Sequence, residues 1–179
     1  MIDKVQIRNV RKSDYDFILE QNQKNVDMLS PMNAEKLQQF CDIAELLLIA
    51  DVDEVPAAFL IALRDGIQDY QSENYRWFCQ NYSSFLYIDR IVIDENYRGC
   101  GLGRLLYQNV FSHAYNTNVP FVTAEINIIP YNASSLKFHE KMGFHEVGTQ
   151  TIRNNTVKVS LQEAAISDFY RNNQKLKEV

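Results

Sequence analysis

The sequence predicts an α/β chain in which helices flank a central mixed sheet. Three observations carry this reading. Stretches of helical and strand periodicity alternate along most of the 179 residues, the pattern of helices packed on a sheet. Two nearly continuous apolar runs, "ELLLIAD" and "VPAAFLIALRDG", have the composition of strands buried on both faces. Turn signals near both ends, "DVDEV" and Asn154-Asn155, call for antiparallel hairpins, so the sheet is not purely parallel.

Taken in order, "KVQIRNV" alternates Val5 and Ile7 with polar residues, as a half-buried first strand does. Ser13 is the expected N-cap of a helix running from Asp14 into "QNQKN", and a second helix is expected from about Asn33 to Ala44, beyond Ser30-Pro31. The two apolar runs follow as neighbouring strands. Residues 65–84 are irregular and aromatic, with Tyr70, Tyr75, Trp77, Phe78 and Tyr82. An inserted loop or short helix is expected there, serving as core, as subunit packing, or as a lid over a bound acceptor.

"FLYIDRIVI" has the strongest strand pattern in the chain, and after "DENY" a helix is expected whose Leu102, Leu106, Val110 and Ala114 recur every four residues on one face. Pro120 opens the strand "FVTAEI". "YNASSLKFHEKMGF" reads as a short helix stopped by Gly143, and "FHEVGTQTI" with "TVKVSL" as an antiparallel pair. A single domain is expected over 1–179, ending in a helical tail at about 163–179.

Composition excludes several classes. The longest apolar stretch, "AAFLIAL", is seven residues, far short of the roughly 20 that cross a bilayer as a helix. A net charge of −5 without a basic stripe argues against nucleic acid as partner. Cys41, Cys79 and Cys100 are odd in number and widely spaced, which fits neither a disulfide framework nor a thiolate metal site. "HEKMGFH" separates its histidines by six positions rather than four, with Gly143 between them, so no metal is expected. The N-terminus mixes both charge signs without a leader pattern, and the cytoplasm is the expected compartment.

Half of the six glycines fall in "YRGCGLGRLL", as Gly99, Gly101 and Gly103. A strand, a glycine turn and a helix start leave several N–H groups pointing one way without intrahelical partners, at the positive end of the helix dipole. Such a site holds a phosphate without lysine. "GLGRLL" lacks the Lys-Ser/Thr of a P-loop, and G-x-G-x-G at mid-chain is not the dinucleotide fingerprint.

"RGCGLG", Arg98 to Gly103, does fit the Arg/Gln-x-x-Gly-x-Gly/Ala motif of the GNAT N-acetyltransferase superfamily, and "NASSLKFHEKMGF" resembles that family's later Asn-x-x-Ala/Ser-x-x-Leu/Phe-Tyr-x-x-x-Gly-Phe segment. The element order from Val5 to about Leu161 resembles the family as well. The resemblance implies a mostly antiparallel sheet splayed between its fourth and fifth strands and flanked by helices. It implies acetyl-CoA as co-substrate and acetyl transfer to the amino group of a small-molecule or amino-acid-like acceptor. The pyrophosphate cradle would be Arg98, Gly99, Cys100, Gly101, Leu102, Gly103 and Arg104. Ile91, Val92 and Ile93 would bind the pantetheine arm through their backbone, a main-chain N–H near Val92 or Ile93 would stabilise the oxyanion, and Asn132 would reach the cofactor from the later helix.

Two side-chain roles stay open. The family's tyrosine acid is replaced by His139, which shares a helix stripe with Asn132 and Ser135; Tyr131 is the alternative donor. For the base, Asp89 and Glu125 are candidates, each weighed against a salt bridge with Arg90 or Arg153 and against proton removal by water. The replaced tyrosine also keeps a rival reading in view, a non-catalytic acyl-CoA-binding module. The aromatic insertion and the terminal helix offer surfaces for a homodimer.

Overall fold

The computed structural model describes residues 4–175. Its strands are β1 (Val5–Asn9), β2 (Leu46–Val52), β3 (Val55–Arg64), β4 (Leu86–Ile93), β5 (Phe121–Ile129), β6 (His145–Ile152) and β7 (Val157–Ala165). Its helices are α1 (Tyr15–Lys24), α2 (Ala34–Ile43), α3 (Glu73–Asn81), α4 (Leu102–Asn116), α5 (Ala133–Lys141) and α6 (Ile166–Lys175). The strands form one mixed sheet in the order β1-β2-β3-β4-β5-β7-β6. The β4·β5 pair is parallel, whereas β1·β2, β2·β3, β5·β7 and β6·β7 are antiparallel. The parallel register runs only from Leu86↔Val122 to Ile88↔Ala124, although β4 continues to Ile93. Among the described residues no helix is long and apolar enough to cross a membrane.

The chain divides into two compact units. The first holds the chain up to Leu63 together with Asp89–Asn109; the second holds Arg64–Ile88 and everything from Val110 onward.

In the first unit β2 and β3 are joined at Asp53-Glu54, both at positive φ (49° and 68°), as the type I′ turn matched to strand twist requires. Arg8 on β1 grips two carboxylates at once, Asp51 at 2.5 and 3.0 Å and Asp14 at 2.6 and 2.9 Å. Burial pushes the Asp14 carboxyl up, but the Arg8 hydrogen bonds and the Arg11 N–H outweigh it and hold that carboxyl below its ordinary range. Ser13 is therefore not the N-cap of α1. It lies in a 3-10 turn, Lys12–Asp14, and Asp14 occupies the N-cap position of α1 with its carboxylate spent on Arg8 and the Arg11 N–H rather than on the helix. Charge-assisted bonds are about twice as strong as neutral ones, and a serine hydroxyl does not compete with them. α2 keeps close to its expected bounds, and Asn33 caps it, accepting the Lys36 N–H at 2.9 Å.

In the second unit the aromatic insertion is core. α3 starts at the Ser72 cap, and its Tyr75 and Phe78 meet Phe85 and Tyr87 at ring distances of 5.4 to 5.9 Å. The buried Tyr75 hydroxyl donates to Arg64 O (2.6 Å) and accepts from the Ile67 N–H (2.9 Å), so the ring enters the core with its polar end satisfied. The expected apolar stripe of α4, whose part up to Asn109 belongs to the first unit, is buried at Leu102, Leu106, Val110 and Ala114. The tail departs from expectation at its start. Glu163, Ala164 and Ala165 favour helix, yet β5 pairs with them at Thr123, Val122 and Phe121, so β7 continues to Ala165 and α6 begins at Ile166. There Phe169 stacks on Phe111 at 4.1 Å. Residues 176–179 of the expected tail lie outside the described residues.

Gly148 on β6 lies beneath Trp77. A Cβ at this position would be 2.9 Å from Trp77 Cζ2, closer than packed carbons approach. Gly148→Ala is expected to cost about 1–3 kcal/mol, read as a melting temperature lower by roughly 3–10 °C. In a Trp77→Leu background the same change is expected to cost less than half as much, which tests the ring contact as the cause.

Candidate active site

In the first unit the site is built on the end of β4. The Asp94 N–H donates to Ala57 O on β3 (2.9 Å), and its carboxylate closes the chain beyond. Oδ1 accepts the Asn96 N–H (2.9 Å) and Nδ2 (2.8 Å), and Oδ2 accepts Gln21 Nε2 from α1 (2.6 Å). The Asn96 N–H, helped by the Asn96 and Gln21 side chains, holds the Asp94 carboxyl below its usual range. A 3-10 turn, Glu95–Tyr97, follows and delivers the chain to Arg98.

Gly99 and Gly101 then take left-handed backbone angles, φ +79° and +83°, and a Cβ built on either meets nothing within 4 Å. The turn is therefore open on the side a ligand would approach. The first bond of α4 runs from the Leu105 N–H to Gly101 O (3.1 Å), so the N–H groups of Leu102, Gly103 and Arg104 have no carbonyl one turn behind them. Arg98, Cys100 and Arg104 are exposed around this end, and Arg98 Nη2 donates to Asn25 Oδ1 at 3.5 Å. These residues fit an anionic, phosphate-type group.

Just upstream, Val92 is buried, and Ile91 and Ile93 are half-buried. Asp89 Oδ2 accepts Arg90 Nε at 2.7 Å, with both side chains almost fully buried. The carboxylate considered as a base is thus held in an ion pair with one of the partners weighed for it.

The second unit holds the remaining candidates. Glu125 lies on β5 in register with Leu161, half-buried. Tyr131 is exposed, and the Asn132 N–H returns to Asn127 O (3.1 Å). Asn132 acts as the N-cap of α5. Its Oδ1 accepts the Ser135 N–H (3.2 Å) and the Ser134 hydroxyl (3.1 Å), which commits the oxygen locally.

His139 is 4% exposed, its ring edge-on to Phe138 and Phe144 at 5.4 and 5.1 Å. Nδ1 faces Ser135 O at 2.8 Å, which selects the tautomer with the proton on Nδ1. Burial pulls its pKa down to about 4 against a small opposing effect of the Ser135 bond, so the ring is neutral at pH 7. A neutral imidazole in an aromatic wall packs well and donates protons poorly.

The residues read from the sequence therefore fall into two sets. Asp89, Ile91, Val92, Ile93 and Arg98 to Arg104 belong to the first unit; Glu125, Tyr131, Asn132, Ser135 and His139 belong to the second. Asp94, Gln21 and Asn25 were not anticipated. "DEN" after a strand is a recognisable side-chain-closed turn, whereas no local pattern marks the α1 residues.

Residues 11–144 match the family described as Acetyltransferase (GNAT) family. The chain is 27% identical over 109 residues, 56% of its length, to the peptidyl-lysine N-acetyltransferase YjaB of Escherichia coli K12, of which the match covers 69%. In fold it resembles Ard1 of Thermoplasma volcanium (TM-score 0.72, 13% identity, 90% of this chain and 97% of that one). It also resembles Arabidopsis thaliana Naa50 in complex with the bisubstrate analogue CoA-Ac-MVNAL (TM-score 0.66, 16% identity, 89% and 97%).

The buried His139 makes a prediction about stability against pH. Its folded pKa of about 4 lies below the unfolded value of about 6.5. The unfolded chain then binds the proton first, and stability is full above pH 6.5 and falls as pH drops from 6.5 toward 4. The loss attributable to this ring is on the order of 3 kcal/mol. Denaturant midpoints of His139→Gln are expected to show a flatter profile over that window than the parent; an unchanged slope would mean that the ring is solvated.

Proposed function

The chain belongs to the acetyltransferase (GNAT) family and is an acyltransferase, and from that premise we propose that it moves the acetyl group of acetyl-CoA to a primary amine of a small, amino-acid-like acceptor. The observation that carries this reading is the left-handed Gly99–Gly101 turn with open space above it, running directly into the unsatisfied N–H groups of α4.

In this reading the Leu102, Gly103 and Arg104 N–H groups hold the pyrophosphate, with Arg98 and Arg104 adding exposed charge. Ile91, Val92 and Ile93 bind the pantetheine arm through main chain, and the N–H of Val92 or Ile93 stabilises charge on the thioester oxygen. Bound acetyl-CoA supplies an activated carbonyl carbon. The amine nitrogen forms a bond to it, the carbon–sulfur bond breaks, the amine loses one proton and the departing sulfur gains one.

Glu125 is proposed to take the amine proton, directly or through water, because Asp89 is paired with Arg90. Tyr131 is proposed to protonate the sulfur, because its hydroxyl is exposed whereas His139 is a buried neutral ring. Asn132 and Ser135 are proposed to act by setting the start of α5, and His139 as its packing anchor. A second reading of the acceptor, a peptidyl lysine, is favoured by the activity named for the Escherichia coli relative.

Thiol release from acetyl-CoA tests the acceptor against free amino acids, an N-terminally blocked lysyl peptide, and an alanyl peptide without lysine. Fastest turnover with free amino acids is the expected result; fastest turnover with the lysyl peptide selects the second reading. For the cradle, Gly101→Val is expected to weaken acetyl-CoA binding by at least about ten-fold by calorimetry, with some loss of stability from the strained φ. Gly66→Val, at φ +85° with equally open surroundings, is the strain control and is expected to lose stability without losing affinity. Normal binding by folded Gly101→Val would remove the cradle assignment.

A further inference from the structure

Arg90 is a buried and heavily bonded cation of the first unit, and the transfer chemistry leaves it without a role. It is 4% exposed, and its guanidinium donates in every direction. Nε goes to Asp89 Oδ2 (2.7 Å), Nη1 to Asn22 Oδ1 (2.6 Å) and Ser30 O (3.3 Å), and Nη2 to Ser30 Oγ (2.9 Å). Met32 Sδ lies 4.0 Å from Nη1, and the cation sits 5.0 Å from the centre of the Phe40 ring on α2. Asn22 is fully buried near the end of α1 and completes the cluster by donating to Ser30 O (3.2 Å).

This cluster fastens one particular segment. Residues 25–33 connect α1 to α2 as an irregular and mostly exposed loop. Arg98 meets the loop's start at Asn25, and Gln21, in the turn of α1 before it, meets Asp94. Arg90 meets the loop's far part at Ser30 and Met32. The loop therefore lies along the stretch from Arg90 to Arg98, which presents Ile91 to Ile93 and leads into the glycine turn. An amine acceptor for a thioester held by this stretch would have the loop as a neighbour.

We infer that Arg90 is a positioning residue for the acceptor: by clamping residues 25–33 against β4 through Ser30, Asn22 and Asp89, it fixes the wall along which the amine approaches, and takes no part in holding the cofactor. The inference rests on the acetyl-transfer reading given above. Lysine in its place keeps the charge but has no planar fork to reach Asp89, Asn22 and Ser30 together, so the clamp loosens without leaving the site neutral.

The test compares the parent, Arg90→Lys and Ser30→Ala. It uses three readouts: acetyl-CoA affinity by calorimetry, KM for the three amines of the thiol-release screen, and amide exchange of residues 25–33. Both variants are expected to bind acetyl-CoA within two-fold of the parent. KM for the accepted amine is expected to rise roughly ten-fold in Arg90→Lys and roughly three-fold in Ser30→Ala, with a smaller fall in kcat. Exchange in 25–33 is expected to quicken while β2 and β3 stay protected.

Unchanged amine KM in the folded variants, or equal losses of acetyl-CoA affinity and amine KM, would overturn the inference. If Arg90→Lys does not fold, Ser30→Ala decides alone, since it removes one exposed-loop acceptor and leaves the buried cation its other partners. Failure of the parent chain to bind acetyl-CoA would refute the transfer reading instead, and the exchange rates of 25–33 would then show whether Arg90 clamps the loop at all.

Discussion

A helix cannot satisfy its own first N–H groups, and the arrangement of the first unit follows from where this chain leaves those groups open. α4 begins at Leu102 after two left-handed glycines, whose missing Cβ atoms leave the turn before its first amides open. The buried stripe of Leu102, Leu106, Val110 and Ala114 keeps the helix docked, which holds the amides still. Asp94 does the rest from the strand side: its carboxylate accepts three hydrogen bonds that tie the end of β4 to α1 and to its own following turn, its N–H donates to Ala57 O on β3, and its carbonyl accepts the Tyr97 N–H. A docked helix and a closed turn hold in place the amides proposed to bind the pyrophosphate, and preorganisation is what makes backbone dipoles effective in catalysis.

Arginine organises the same unit by a different principle. Arg8 and Arg90 each make contacts that join segments far apart in the chain, β1 with β2 and the start of α1 in one case, β4 with the α1–α2 loop in the other. A buried guanidinium is costly unless its donors are met, and meeting them all fixes several backbones at once. The consequence reaches the chemistry. A carboxylate locked against Arg90 is not equivalent to one on β5, and for that reason Asp89 and Glu125, so alike in sequence, have different proposed roles.

The second unit shows packing overriding residue type. His139 occupies a helix position where a polar ring suggests chemistry, yet Phe138 and Phe144 enclose it and burial holds it neutral. Tyr75 is likewise polar by type and core by placement, its hydroxyl spent on Arg64 O and the Ile67 N–H. Gly148 is present for the space that Trp77 takes. In each case the packing around the residue, rather than its type, decides what it is for.

The sequence by itself determined the local architecture: the strands, the hairpin at Asp53-Glu54, the four-residue stripe of α4, the glycine turn before it, the stop at Gly143 and the family those motifs belong to. Each of these arises within a few residues of chain, from backbone sterics, helical or strand period and turn chemistry, so each leaves a readable pattern. The tertiary structure alone decided that Arg8 takes the Asp14 carboxylate in a 3-10 turn ahead of α1, that β7 runs through Glu163 to Ala165, that Arg90 is the partner Asp89 takes, that Asn22 and Ser30 share that cation, and that His139 is buried. The Arg90 cluster joins groups 60 and 68 positions apart, Ser30 and Asn22, and the register of β7 on β5 sets Phe121 against Ala165. No short window of sequence holds those partners, and even where partners are adjacent, as Asp89 and Arg90 are, the sequence does not say which of several the fold selects.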